Sequence, residues 1–235
     1  MLERMSNENK IHTALITGAS SGIGAAICRL FNDKGFKIIA VARNTKNLDQ
    51  LKNTLPNPDL CTTISCDVSH KDNIKDLIGE IEGEIDVLIN NAGVFIPGEI
   101  EGEEDNVYEK TMKTNIDSAY YMSKYLLPQL AQGSYIFNMC STASTIGYPN
   151  GGSYCISKFA MLGLSKALRL ELADRIAVSA VLPGATLTNS WAGTEEPESR
   201  FMQPEDVAQV IWSAWCIRKH TVVEEILMRP HLGDF

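Results

Sequence analysis

Seven short runs rich in valine and isoleucine recur along this chain, at about 11–17, 37–42, 60–67, 86–90, 134–141, 177–182 and 222–228. Several are apolar at nearly every position, which suits strands covered on both faces rather than strands with one face in water. Between them lie longer stretches of helical period, at about 23–33, 46–55, 72–82, 104–130, 153–172 and 204–217. Strand and helix in regular alternation predict an α/β fold: a Rossmann-like, doubly wound parallel sheet of about seven strands with helices on both faces.

The stretch 1–10 is polar and is expected to be a flexible tail, with 11–235 forming one domain. Residues 204–206 read Pro-Glu-Asp, a proline and two acids where a first helical turn favours them. Residues 185–203 carry Trp191, Gly193 and Pro197 without a clear period, and a loop of that length in a compact domain is usually a lid or binding loop.

With 44% hydrophobic and 21% charged residues in 235, the chain has enough apolar material for one sizeable core. Its net charge of −8 argues against a nucleic-acid partner, whose phosphates would be repelled. No uninterrupted apolar run reaches membrane-spanning length and the start has no signal-peptide pattern, so a cytoplasmic protein without a membrane partner is expected. The six cysteines form no CxxC pair and sit among apolar neighbours, as buried thiols in a reducing compartment do. His12, His70, His220 and His231 lack metal-ligand spacing and read as solvated or capping side chains, so no metal is expected.

After the first run comes Thr17-Gly18-Ala19-Ser20-Ser21-Gly22-Ile23-Gly24. A strand ending at Thr17 and a helix starting near Gly22 place backbone N–H groups, Ser20, Ser21 and Ile23 included, beside a helix N-terminus, which suits a pyrophosphate. Gly18 permits the turn, Gly22 lets a phosphate approach, and Gly24 allows close helix packing. The same letters contain a rival, because Gly18, Ser20 and Gly22 spell the GxSxG elbow of serine hydrolases. Against that rival, the elbow would follow the first strand of the chain, and no histidine or acid stands in a recognisable partner context.

Tyr154 and Lys158 lie one helical turn apart, thirteen residues after Ser141. A phenol is poorly poised to exchange a proton at neutral pH, and an ammonium on the same helical face is expected to lower its pKa. Ser141 would donate a hydrogen bond to a substrate oxygen. The spacing alone is weak, because Tyr120 and Lys124 repeat it with Val107, not a serine, thirteen residues upstream.

These features in order, with Asp67, Asn90-Asn91-Ala92-Gly93, Asn115, Pro183-Gly184 and Thr188, resemble the short-chain dehydrogenase/reductase family from about residue 11 to the last strand. The resemblance implies hydride transfer between a nicotinamide cofactor and a carbonyl/secondary alcohol pair. It gives Asp67 a contact to the adenine, Asn90 one to the adenine ribose, and Asn91 a bracing role. Ala92 and Gly93 complete that motif. Lys158 would hold the nicotinamide ribose, and Pro183, Gly184, Thr186 and Thr188 the nicotinamide end. Asn115 would hold a water in a proton relay to the lysine.

At the end of the second strand, where an acid would favour a ribose 2′-hydroxyl, stand Ala42 and Arg43, so NADP is expected over NAD. Ser20 could add a hydroxyl to the same phosphate. The expected activity is that of an NADP-dependent carbonyl reductase; a nucleotide-sensing regulator on the same fold is the alternative, but it could dispense with Ser141, Tyr154 or Lys158, all present here. Phe95, Ile146, Tyr148 and Trp191 follow motifs that border substrate in the family and suggest an apolar or aromatic pocket. The stretch 153–172 is apolar around most of its circumference, which implies a second partner surface and a homodimer or homotetramer.

Overall fold

A computed structural model of the chain describes residues 10–233. Seven strands form one sheet: β1 Thr13–Thr17, β2 Lys37–Ala42, β3 Cys61–Ser65, β4 Ile85–Asn90, β5 Leu130–Met139, β6 Ile176–Pro183 and β7 Glu225–Met228. Every pairing is parallel and the order is β3-β2-β1-β4-β5-β6-β7. The helices are α1 Gly22–Asp33, α2 Thr45–Asn53, α3 Lys71–Gly79, α4 Asp105–Met112, α5 Ser118–Leu126, α6 Gly152–Glu171 and α7 Pro204–Trp215.

Side-chain alternation along the strands builds two cores. Ala14, Ile16, Val87 and Ile89 join Ile27, Phe31 and Trp212 on the side of α1 and α7, while Leu15 and Leu88 join Ile74, Met122, Leu126 and Leu168 on the side of α3, α5 and α6. The expected Rossmann-like doubly wound sheet is therefore what the chain forms.

Four local expectations need correction. The stretch 104–130 is not one helix: α4 and α5 are separated by a π turn, Lys113–Asp117, and α5 gives way to a short 3₁₀ turn, Leu127–Gln129, that contains Pro128. Proline lacks the N–H that would continue the helix, so β5 begins at Leu130, earlier than expected. Ser141 lies just past β5 rather than inside it. His12 is not a solvated side chain, because its ring stacks on Phe36 at 5.4 Å and its Nδ1 lies 3.0 Å from an Asp86 carboxylate oxygen.

Of the expected tail, residues 1–9 lie outside the described residues. Lys10 is held, its Nζ donating to Asp86 at 2.9 Å. Cys28, Cys61, Cys66 and Cys140 are buried and Cys155 and Cys216 partly so. Among the described residues no helix is long and apolar enough to cross a membrane.

Candidate active site

A cavity of about 900 Å³ opens over the C-terminal ends of β1, β2, β4, β5 and β6. From β1 the chain steps outward to β2 and β3 and then crosses back to β4 on the other side of β1, so the cavity sits where an open parallel sheet places its ligands.

The glycine turn forms its floor. Gly18 and Gly22 have φ of +63° and +52°, the left-handed region that side chains avoid. A Cβ on Gly18 would lie 2.9 Å from Nδ2 of Asn91, and one on Gly24 only 2.3 Å from the Gly18 carbonyl oxygen. On Gly22 it would meet the Thr188 methyl group at 3.0 Å. The first turn of α1 carries no acidic side chain and Ser21 makes no side-chain cap. Bare backbone at a helix N-terminus is a cradle that fits a pyrophosphate.

Asn91 fixes this turn. Its amide donates to the Thr17 and Gly18 carbonyls at 3.0 and 3.2 Å, while Thr17 Oγ1 accepts from the Asn91 and Ala92 N–H groups at 3.0 Å each. Its neighbour faces the other way. Asn90 is buried off the cavity wall and its amide donates to Ser123 Oγ at 3.0 Å and Asn138 Oδ1 at 2.8 Å. Alternation at the end of β4 turns this side chain toward α5, which leaves the Asn90 backbone for the expected ribose contact.

At the far end of the cavity stand Ser20, Arg43, Asn44, Asn47 and Asp67. Arg43 is exposed, directly after β2. Burial opposes the Asp67 charge, but hydrogen bonds from the Ser69 hydroxyl and N–H, with the nearby Arg43 and His70, hold its pKa below the ordinary carboxylate value.

At the near end, Ser141 caps a 3₁₀ turn, Thr142–Ser144; its Oγ accepts from the Ala143 N–H at 3.1 Å and its own N–H donates to Ser144 Oγ at 3.1 Å. The Ser141 side chain also stands near enough to the Tyr154 phenol to act on its titration. The ring of Tyr154 meets the edge of Phe95 at 4.8 Å. Lys158, buried, sits one helical turn on with Nζ 5.7 Å from the Tyr154 ring centre, and donates to the Met139 carbonyl at 2.7 Å.

Burial pushes the Tyr154 pKa above the ordinary phenol value, with the Ser141 hydrogen bond pulling the other way. This reverses the expectation that Lys158 lowers it. Desolvation brings Lys158 itself down to about 8.

Asn115 stands in the π turn rather than in regular helix. Its Oδ1 accepts from Val94 N–H at 2.8 Å, and its Nδ2 donates to the Val94 carbonyl and Ser157 Oγ at 3.0 Å each. The side chain is committed to bracing the segment after β4 against α6. Thr114, beside it, reaches the wall.

Glu103 is a residue that sequence reasoning missed. Its Oε1 accepts from Ser153 Oγ at 2.7 Å and Ser153 N–H at 3.3 Å, anchoring the first turn of α6 immediately before Tyr154. No local pattern signals a partner fifty residues away in sequence.

Pro183, Gly184, Thr186 and Thr188 line the remaining wall. Thr186 is buried, its Oγ1 donating to the Gly184 carbonyl at 3.0 Å, and it pairs with Met202 in an isolated bridge. Segment 185–203 thus has some order of its own, with 3₁₀ turns at Asn189–Trp191 and Glu198–Arg200 and the Trp191 ring 5.2 Å from that of Phe201. Ser20 lines the cavity, but among the described residues no histidine does, which leaves a hydrolase elbow without a base.

A family model described as short chain dehydrogenase matches residues 12–199. The chain is 33% identical to a sepiapterin reductase of Chlorobaculum tepidum, over 95% of this chain and 98% of that one. A solved short-chain dehydrogenase/reductase from Brucella melitensis superimposes with a TM-score of 0.88 at 28% identity, covering 94% of this chain and 96% of that one. A serine dehydrogenase complexed with NADP⁺ superimposes at 0.84 with 25% identity, covering 95% and 96%. With the glycine cradle, Ser141, Tyr154 and Lys158 around one cavity, these matches establish that the chain is an oxidoreductase of the short-chain dehydrogenase/reductase family.

Proposed function

We propose that the protein is an NADP(H)-dependent carbonyl reductase in which Tyr154 is the proton donor. The observation that carries the reading is Tyr154 itself, lining the cavity wall together with Ser141, with Lys158 one turn behind. A phenol whose pKa is pushed up keeps its proton at neutral pH, and a proton donor is what reduction of a carbonyl needs. The Ser141 hydroxyl is placed to donate a hydrogen bond to the substrate oxygen as negative charge grows there. Phe95 packs on the tyrosine ring and limits its swing.

NADPH, when bound, supplies the hydride. The backbone of Gly18, Ser20, Ser21, Gly22 and Ile23 would hold its pyrophosphate, with Gly24 keeping α1 close. Asp67 would face the adenine, and Ala92, Gly93 and Lys158 the riboses. Pro183, Gly184, Thr186 and Thr188 would flank the nicotinamide, under a lid formed by 185–203. The NADP⁺ complex of a structural relative supports the choice of nucleotide, as does Arg43, which with Ser20 would take the 2′-phosphate. Tyr154→Phe, developed in the Discussion, tests the proton-donor role; the choice of nucleotide has its own test. A hydrogen bond to a charged group is worth about 1.5–3 kcal/mol, so Arg43→Ala should weaken NADPH binding at least about tenfold while NADH binding stays unchanged. Equal losses in titrations of the two nucleotides would remove Arg43 from that role.

The same reading extends to assembly and location: a homodimer or homotetramer in a reducing cytoplasm. Ile156 and Phe159 on α6, with Tyr108 on α4 and Tyr120 on α5, leave large apolar side chains in water that a second copy would cover.

A further inference from the structure

We propose that the site selects uncharged carbonyl compounds with a flat apolar body and discriminates against those bearing a carboxylate or phosphate beside the reacting carbonyl. The proposal rests on the reductase reading and adds the substrate class to it. Among the described residues, the ionic side chains on the cavity wall are Arg43, Asp67 and Lys158. Arg43 and Asp67 follow β2 and β3, whereas Ser141 follows β5. Three strand spacings separate β2 from β5, roughly 14 Å, so neither charge reaches a group attached to the reacting carbonyl. Lys158 is the remaining cation, and its Nζ donates to the Met139 carbonyl at 2.7 Å.

Lys158 apart, the wall around Ser141 and Tyr154 is neutral. Phe95, Tyr148 and Trp191 contribute rings, and the Tyr148 hydroxyl is already used, donating to Thr142 Oγ1 at 2.8 Å. The nearby polar groups, Asn150, Asn189 and Ser190, are an amide pair and a hydroxyl without charge. Rings accept a flat body by stacking, and amides can orient its neutral polar edge. A carboxylate in the same place would lose its water with no cation to replace it except Lys158, whose Nζ already donates to the Met139 carbonyl, and that loss is costly. The surroundings add to the discrimination: segment 185–203 carries Glu195, Glu196 and Glu198 against Arg200, and the chain as a whole carries −8.

The test uses matched pairs in which a small alkyl ester masks the carboxylate charge: methyl benzoylformate against benzoylformate, and ethyl acetoacetate against acetoacetate. Reduction is followed by NADPH oxidation, and binding by calorimetric titration into the protein saturated with NADP⁺. The esters should exceed the acids by at least about a hundredfold in kcat/KM, and Ser190→Arg, which brings a cation to the neutral end, should shift that ratio toward the acids at least about tenfold. An acid reduced within about tenfold of its ester, or bound as tightly, would overturn the proposal. So would failure of both members of both pairs to bind, with nucleotide binding intact; the reductase reading would survive that result. Selective binding of the esters without their reduction would uphold the neutral pocket and remove the reductase reading instead.

Discussion

Lys158 is an ammonium that folding takes out of water, and desolvation lowers its pKa from 10.5 to about 8. The folded chain releases this proton more readily than the unfolded chain does. Below about pH 8 the penalty is therefore full, on the order of 3 kcal/mol, and it fades as pH rises toward 10.5. Lys158→Met should raise the urea midpoint at pH 7, although the Met139 carbonyl loses its donor and offsets part of the gain. The lead over the natural chain should shrink by pH 10.5, while turnover is lost. A lower midpoint at both pH values would contradict a buried-charge penalty. At this scale Ser141, Tyr154 and Lys158 were legible because their spacing is local and their chemistry narrow. The bracing role of Asn91 was legible too, whereas the direction of the Asn90 side chain was not, because it depends on the pleat of β4 and on Ser123 and Asn138 behind it. The pKa direction of Tyr154 was equally hidden, since burial outweighs the lowering by Ser141 and burial is a tertiary property.

Among the elements, strands β1, β2, β4 and β6 could be read to within a residue or two from their apolar runs. The break between α4 and α5 could not, because a π turn leaves no composition signal and is stabilised here by Asn115 bonding both sides of Val94 and reaching Ser157. The apolar circumference of α6 divides in the structure. Met161, Leu162 and Leu168 are buried, whereas Ile156, Phe159, Gly163, Ala167 and Leu170 are exposed at the three- and four-residue spacing of one helical stripe. Light scattering at micromolar concentration should report a dimer or larger assembly, and the double variant Ile156→Glu with Phe159→Glu should shift it toward monomer. A natural chain that stays a soluble monomer would refute the second-copy role of this face.

The whole molecule decides what motifs cannot. Tyr120 with Lys124 and Tyr154 with Lys158 share their spacing, and both lysines lie 5.7 Å from the ring centre of their tyrosine. Pair geometry does not tell them apart; the fold does. Tyr120 stands in water on α5, off the cavity, whereas Tyr154 lines it beside Ser141 from the end of β5 and is set in place by Glu103 through Ser153. The glycine cradle closes the same cavity from β1. Removing a positioned general acid costs about 10²–10⁴ in rate, so single-turnover NADPH oxidation on an accepted carbonyl should fall by that factor in Tyr154→Phe, with NADPH binding retained. Tyr120→Phe should change it less than about tenfold, within the usual reach of a surface substitution. Near-normal turnover by Tyr154→Phe, or equal loss in both variants, would contradict the assignment of Tyr154 as the proton donor.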